Sequence, residues 1–218
     1  MKNILLFAAI AGLVLASCSK KNSGTEDTSG PYSIGSYYQE KGVAGVVYKV
    51  SADGMHGMIV SLGKTDYTWA YETPSTYSTG ATHTANGVAN MNKIKAISGW
   101  ESKYPIFKWC DDLNKDGITG WYIPAKDELA QLYAGFCGLS AYPGKEANAA
   151  TKYATARTKF NAVLEQHGGV AIDAYIISTF WSSSENNTNT AWALNFTDGW
   201  LFSNAKSCGD VVYAVRAF

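Results

Sequence analysis

The chain has 218 residues, 46% of them apolar and 17% charged, which is enough for one ordinary hydrophobic core and too apolar for a disordered protein. Lys and Arg together number 18, as do Asp and Glu, and no basic stripe breaks that balance, so nucleic acid is not an expected partner. The 14 Tyr, 7 Trp and 8 Phe supply wide, rigid contact area for a core or for a recognition surface.

The first element is a targeting segment. MKNILLFAAIAGLVLAS opens with Lys2 and runs apolar from Ile4 to Ala16. That run is shorter than the roughly 20 apolar residues a bilayer span needs, so residues 1–17 read as a secretory signal peptide. Leu15-Ala16-Ser17-Cys18 resembles the bacterial lipobox, in which cleavage leaves the cysteine first in the mature chain and acylated. Cys18 is therefore the expected lipid anchor of an exported outer-membrane lipoprotein, held at the membrane by several acyl chains. Residues 18–30, rich in Ser, Gly and Thr, form a flexible tether, and residues 31–218 the globular domain. Cys110, Cys137 and Cys208 remain, an odd number that allows at most one disulfide, and their spacing does not say which. With no CxxC and only His56, His83 and His167, a structural zinc site has little support.

Within the domain, two β-rich runs flank Ala52-Asp53-Gly54, a hairpin signal that places strands at 43–50 and 56–62. The following stretch to about Asn90, rich in Thr, Tyr, Ser and Gly, reads as a long ordered loop or short irregular strands. Short helices are expected over Met91–Ile97 and Tyr104–Leu113. GWYIP at 120–124 is a short extended piece ended by Pro124, and AKDELAQLYAGF suits a helix whose acidic first turn complements its dipole. From Thr151 to Gln166, Tyr153, Ala156, Phe160, Val163 and Leu164 share one helical face, which Gly168-Gly169 ends. Strands follow at 176–181, 190–196 and 211–217. In the second of these Trp192, Leu194 and Phe196 form the expected buried face, opposite Ala191, Ala193 and Asn195. Strands, then helices, then strands indicate an α+β domain.

Gly45-Val46-Val47-Tyr48, Gly120-Trp121-Tyr122-Ile123-Pro124 with Asp127-Glu128-Leu129, Trp181-Ser182-Ser183-Ser184-Glu185, Ala191-Trp192 and Val215-Arg216 occur together and in order. That set resembles the bacterial C-type-lectin-like domains of exported lipoproteins, over roughly residues 42–218. The resemblance implies two main helices packed on a twisted antiparallel sheet, first and last strands paired, and a long irregular loop region. It also implies a binding module, related to receptors diversified by retroelements, that contacts a glycan or a protein through its C-terminal loops. Carried over, the exposed positions are Asn186, Asn187, Asn189, Thr190, Asn195, Thr197, Asp198, Trp200, Phe202, Asn204, Ser207 and Asp210. Their amides and hydroxyls suit sugar or peptide contacts, and Trp200 or Phe202 is either a surface anchor or a cover for the sheet end. Trp121, Trp181, Trp192 and Phe196 are expected in the core, Glu128 in a structural role, and Arg216 beside a carboxylate or carbonyl.

The calcium loop of animal C-type lectins is not intact: Ser184-Glu185-Asn186 lacks its Pro and Trp192-Ala193-Leu194 its acidic ligand. Asp112, Asn114 and Asp116 match the first half of an EF-hand loop, but Ile123 stands where the bidentate Glu belongs, so a polar turn is the favoured reading, a weak calcium site is the lesser alternative, and no cofactor is expected. Nothing resembles a base-activated nucleophile, and the chain reads as a non-enzyme with two alternatives: a structural or assembly subunit of a surface complex, or an enzyme of unrecognised type.

Overall fold

The computed structural model describes residues 31–71, 78–173 and 178–218. The signal peptide, Cys18 and the tether lie outside the described residues, as do positions 176 and 177 of the expected strand at 176–181.

Lys41 and Gly42 have positive φ (49° and 81°), the geometry of a tight two-residue hairpin that joins β1 (Tyr37–Glu40) to β2 (Val43–Val50). The expected Asp-Gly turn joins β2 to β3 (Gly57–Thr68), with Asp53 Oδ1 accepting from the Ser51 hydroxyl at 2.6 Å and the Met55 N–H at 2.9 Å. β3 runs six residues beyond the expected end of its strand, and its far half pairs with the final strand, β7 (Gly209–Ala217). Between them β4 (Thr179–Glu185), β5 (Thr190–Asn195) and β6 (Trp200–Ala205) complete a seven-stranded sheet of order β1-β2-β3-β7-β4-β5-β6. Two expectations are corrected. The last strand pairs with β3 rather than with the first, and β4 meets β7 in parallel through Phe180 and Val211, so the sheet is not wholly antiparallel.

Among the described residues six helices surround the sheet: α1 (Gly87–Lys95), α2 (Trp100–Lys103), α3 (Pro105–Asp112), α4 (Lys126–Phe136), α5 (Ala149–Lys152) and α6 (Ala154–Gln166). The expected helix over 151–166 breaks at Tyr153 into α5 and α6. The two longest, α4 and α6, are the two main helices of the sequence reading. α4 starts where Glu128 Oε2 accepts the N–H of Ala125 at 2.8 Å, and that same oxygen holds the Gly87 N–H at 2.9 Å while Oε1 accepts the Tyr122 hydroxyl at 2.9 Å. One carboxylate thus ties α1, α4 and the 120–124 segment together, which is the structural role expected of it. Arg216, half-buried, lies against Gly120.

Phe196 organises the helix-facing core, stacking on Phe180 at 4.0 Å and meeting Tyr133 and Phe136 of α4 at 5.4 and 6.0 Å. α4 comes close enough to β2 that a Cβ on Gly135 would overlap the Tyr48 carbonyl oxygen. Gly135→Ala therefore forces helix from sheet, and a loss of about 3 kcal/mol is expected in denaturant unfolding of the full chain.

Trp121, Trp181 and Phe196 are buried as expected, but Trp192 is only half-buried, with the Lys126 ammonium 4.7 Å above its ring. Ala191 and Ala193, expected on the open face, are fully buried instead. With Ala191 and Ala193 buried on one face and Leu194 and Phe196 on the other, β5 is covered on both faces and loses the in-out alternation on which the expectation rested.

Candidate ligand surface at the C-terminal hairpins

The Ser-rich run faces inward. Between Trp181 and Glu185 the register of β4 against β5 shifts, and side chains replace the missing ladder bonds. The Ser182 hydroxyl donates to the Trp192 carbonyl at 2.7 Å, and that of Ser184 donates to the His83 carbonyl at 2.7 Å while accepting the Lys126 N–H at 2.9 Å. Asn90, wholly buried, donates to the His83 carbonyl at 2.8 Å and accepts the His83 N–H at 3.0 Å. The strand ends on Glu185, whose carboxylate accepts the N–H groups of Thr79 and Gly80, the Ser78 hydroxyl and the ammonium of Lys206.

Both charged side chains are almost wholly enclosed, at 1% and 2% exposure. Lys206 also donates to the Thr188 carbonyl at 2.9 Å and sits 4.7 Å over the Trp69 ring. Burial alone would raise the Glu185 carboxyl, but Lys206 and the donors on Thr79 and Ser78 outweigh it and lower its pKa. Burial lowers the Lys206 ammonium against the pull of Glu185. This pair clamps three separate segments: the 78–81 stretch, the β4–β5 loop and the β6–β7 turn.

The opposite end of the β5–β6 hairpin is built around Trp200, 48% exposed and stacked on Phe202 at 4.8 Å with 24° between ring planes. The Lys145 ammonium stands 4.5 Å over the indole and 3.6 Å from Asp198 Oδ2. The turn beneath is fixed from several sides: Asp198 Oδ1 accepts the Trp200 N–H at 3.0 Å, the Asp198 carbonyl accepts the Glu146 N–H at 2.7 Å, and the Tyr142 hydroxyl donates to the Gly199 carbonyl. The result is a pre-ordered aromatic and cationic platform on an edge strand.

The family model for the Lcl C-terminal domain matches residues 59–216, which takes in both hairpins and the clamp. The chain belongs to the Lcl C-terminal domain family. Among solved structures, this Lcl C-terminal domain resembles a fimbrial protein from Bacteroides ovatus with a TM-score of 0.58 at 16% identity, covering 86% of this chain and 49% of that one. The domain thus spans about half the length of that protein. No curated protein matches the chain.

The residues expected to carry binding fall into two groups on this Lcl C-terminal domain, separated by the length of the β5–β6 ladder, about 17 Å. Asn186, Asn187, Asn189, Thr190 and Ser207 gather at the clamped end; Asn195, Thr197, Asp198, Trp200 and Phe202 gather at the Trp200 end. Several amides are spent on the turns themselves. Asn187 Oδ1 accepts the N–H groups of Asn189 and Thr190 at 2.9 and 3.0 Å, Asn186 donates to the Thr190 hydroxyl at 3.0 Å, and Asn195 Oδ1 accepts the Thr197 N–H at 2.8 Å. Asp210 is not at the surface as expected: it is 7% exposed, and Asn204 donates to its Oδ2 at 2.7 Å. Sequence reading missed Lys145 and Tyr142, which come from a loop more than fifty residues upstream and carry no local signal.

Burial pushes the Asp210 carboxyl up to about 6, against the single Asn204 bond. A raised carboxyl pKa means that the folded chain holds its proton longer than the unfolded one. Stability from this group is full below the unfolded value and is lost as pH rises to about 6. Asp210→Asn should therefore gain on the parent chain between pH 4 and 7, by at most about 3 kcal/mol, in parallel denaturant melts.

The half-matched calcium loop is engaged elsewhere. Asp112 pairs with Lys108 and Lys115, each at 2.5 Å, while Asn114 donates to the Trp121 carbonyl and accepts the Trp121 N–H, both at 2.9 Å. Asp116 takes a left-handed φ of 55° at the turn. The three cysteines are unpaired, Cys110 and Cys137 buried and Cys208 half-buried, and burial raises the first two thiols.

Proposed function

We propose that the chain is a lipid-anchored, cell-surface recognition protein of C-type-lectin-like architecture that holds a glycan or protein ligand at the Trp200 end of its β5–β6 hairpin. Trp200 carries this reading: a large aromatic ring left 48% exposed on a turn that several hydrogen bonds hold rigid is an anchor whose ordering cost is already met. Phe202 and Lys145 extend it into a mixed apolar and cationic patch, and Asn195, Thr197 and Asp198 give it a polar rim. Membership of the Lcl C-terminal domain family, the lipobox and the likeness to a fimbrial protein support surface display. Two buried thiols with raised pKa are poor nucleophiles, which favours binding over catalysis. Binding in this reading needs no calcium, because Asp112 and Asn114 are already committed.

The test is to present the full chain to glycan and protein arrays, with calcium and with chelator. Binding that survives the chelator is expected; silence on both arrays would contradict the reading. Cys18→Ser should move the chain from the membrane fraction to the soluble one.

A second reading, assembly into a surface structure, rests on β6 as an edge strand. Trp200–Ala205 contains no charge and no Pro, the usual protections of an exposed edge. A stoichiometric partner retained through membrane extraction would favour it.

A further inference from the structure

Away from both hairpins, the segment 33–36, the end of α4 and one face of α5 and α6 enclose a cleft of about 600 Å³. That volume lies within the roughly 300–1,000 Å³ typical of small-molecule sites. Its apolar lining is made by Ile34, Cys137, Ala156, Phe160 and Val163. No Asp or Glu lines it, while Lys152 at the end of α5 and Lys159 on α6 both do. Lys152 is held by Glu146 at 2.7 Å; Lys159, exposed, makes no ion pair among the described residues.

A third cation lies against Cys137. Arg157 is only 5% exposed, and its guanidinium donates to Tyr133 Oη at 3.0 Å, to the Thr197 carbonyl at 3.3 Å and to Cys137 Sγ at 3.5 Å. It has no carboxylate partner among the described residues, and its Nε has no hydrogen-bond partner. Seated over the Tyr133 and Phe136 rings at 5.5 and 5.3 Å with no carboxylate partner, this guanidinium adds positive potential beside the cleft. An apolar trough with a positive field, an unpaired ammonium at its mouth and no acid in its lining is complementary to an amphipathic monoanion.

We propose that this cleft binds a medium-chain fatty carboxylate, its acyl chain along Phe160 and Val163 and its carboxylate at Lys159. The hydroxyls of Ser33 and Thr155 at the lining add polar contacts for the head group. A neutral alcohol of equal length would satisfy the trough but leave the cations unanswered. A cationic amphiphile would be repelled by them.

The experiment titrates the full chain, preloaded with 1-anilinonaphthalene-8-sulfonate, with decanoate, decanol or decyltrimethylammonium below their micelle concentrations. Decanoate should displace the dye at least tenfold more effectively than decanol, with decyltrimethylammonium weaker still. Ala156→Trp fills the trough and should abolish displacement. Lys159→Glu, on an exposed side chain whose loss does not threaten folding, should weaken decanoate about tenfold and leave decanol unchanged. Equal displacement by all three amphiphiles, or an unchanged decanoate titration in Lys159→Glu, would overturn the proposal. Arg157 and Glu146 tie the surroundings of the cleft to the Thr197 and Asp198 carbonyls, so both variants are made at Ala156 and Lys159, which leave those bonds to the Trp200 turn in place.

Discussion

Lys206→Ala is expected to cost about 3–5 kcal/mol, a large share of the 5–15 kcal/mol that keeps a domain of this kind folded. The reason is the asymmetry of buried ion pairs. Removing the ammonium leaves the Glu185 carboxylate at 1% exposure with only the N–H groups of Thr79 and Gly80 and the Ser78 hydroxyl to solvate it. The same substitution strips the Thr188 carbonyl of its donor and empties the space over Trp69. Glu185→Gln combined with Lys206→Met keeps the volume and removes both charges, so the double variant should recover much of the loss; a double-mutant cycle in urea that includes Glu185→Gln and Lys206→Met as singles would measure the interaction. A single-variant loss below about 1 kcal/mol would mean that water reaches the pair and that the clamp is not closed. Because Glu185 also has a lowered pKa, its contribution is present above the usual carboxylate range and is lost as pH falls, opposite in sign to that of Asp210.

Trp200→Ala is expected to weaken ligand binding about 30-fold or more while leaving unfolding nearly unchanged. Truncating a central aromatic anchor typically removes 2 kcal/mol or more of binding free energy. Its stability cost is small because the indole is about half exposed and its turn is held by Asp198, Glu146 and Tyr142 through backbone atoms that the substitution keeps. Phe202→Ala should have a smaller effect in the same direction, since that ring acts by supporting the indole at 4.8 Å. Surface calorimetry or interferometry on the captured ligand, beside a thermal melt, separates the two quantities.

Local signals carried much of the fold. The Asp-Gly hairpin, the acidic start of α4 and the apolar face of α6 were legible because each depends on neighbours within a few positions. β1 and β6 were not, since Tyr37–Glu40 is too short for a period and Trp200–Ala205 is an edge strand that buries neither face consistently. β3 extends through Lys64–Thr68 because β7 pairs with it there, and that partner lies some 150 residues away in the chain. The Ser-rich run presented the same difficulty in reverse. Ser182, Ser183 and Ser184 look like a solvated loop, and only the register shift in β4 and the approach of His83 and Lys126 turn them inward.

The candidate surface was legible as a region more than as a geometry. Its polar residues were identified by type, but composition could not show that Asn187 and Asn195 close turns, that Asp210 is covered, or that the set divides between two ends of one hairpin. Nor could it separate Lys206, buried in a clamp, from Lys145, poised over an indole; both are isolated lysines in polar sequence. Tertiary contacts alone distinguish them.

The most direct test of the recognition surface compares the dissociation constants of three full chains for one array-identified ligand: the parent, Trp200→Ala, and Asn187→Ala at the clamped end. Weakening of about 30-fold confined to Trp200→Ala is the predicted result. Equal affinity in the parent and Trp200→Ala, with loss in Asn187→Ala, would contradict it and move the site to the other end of the hairpin.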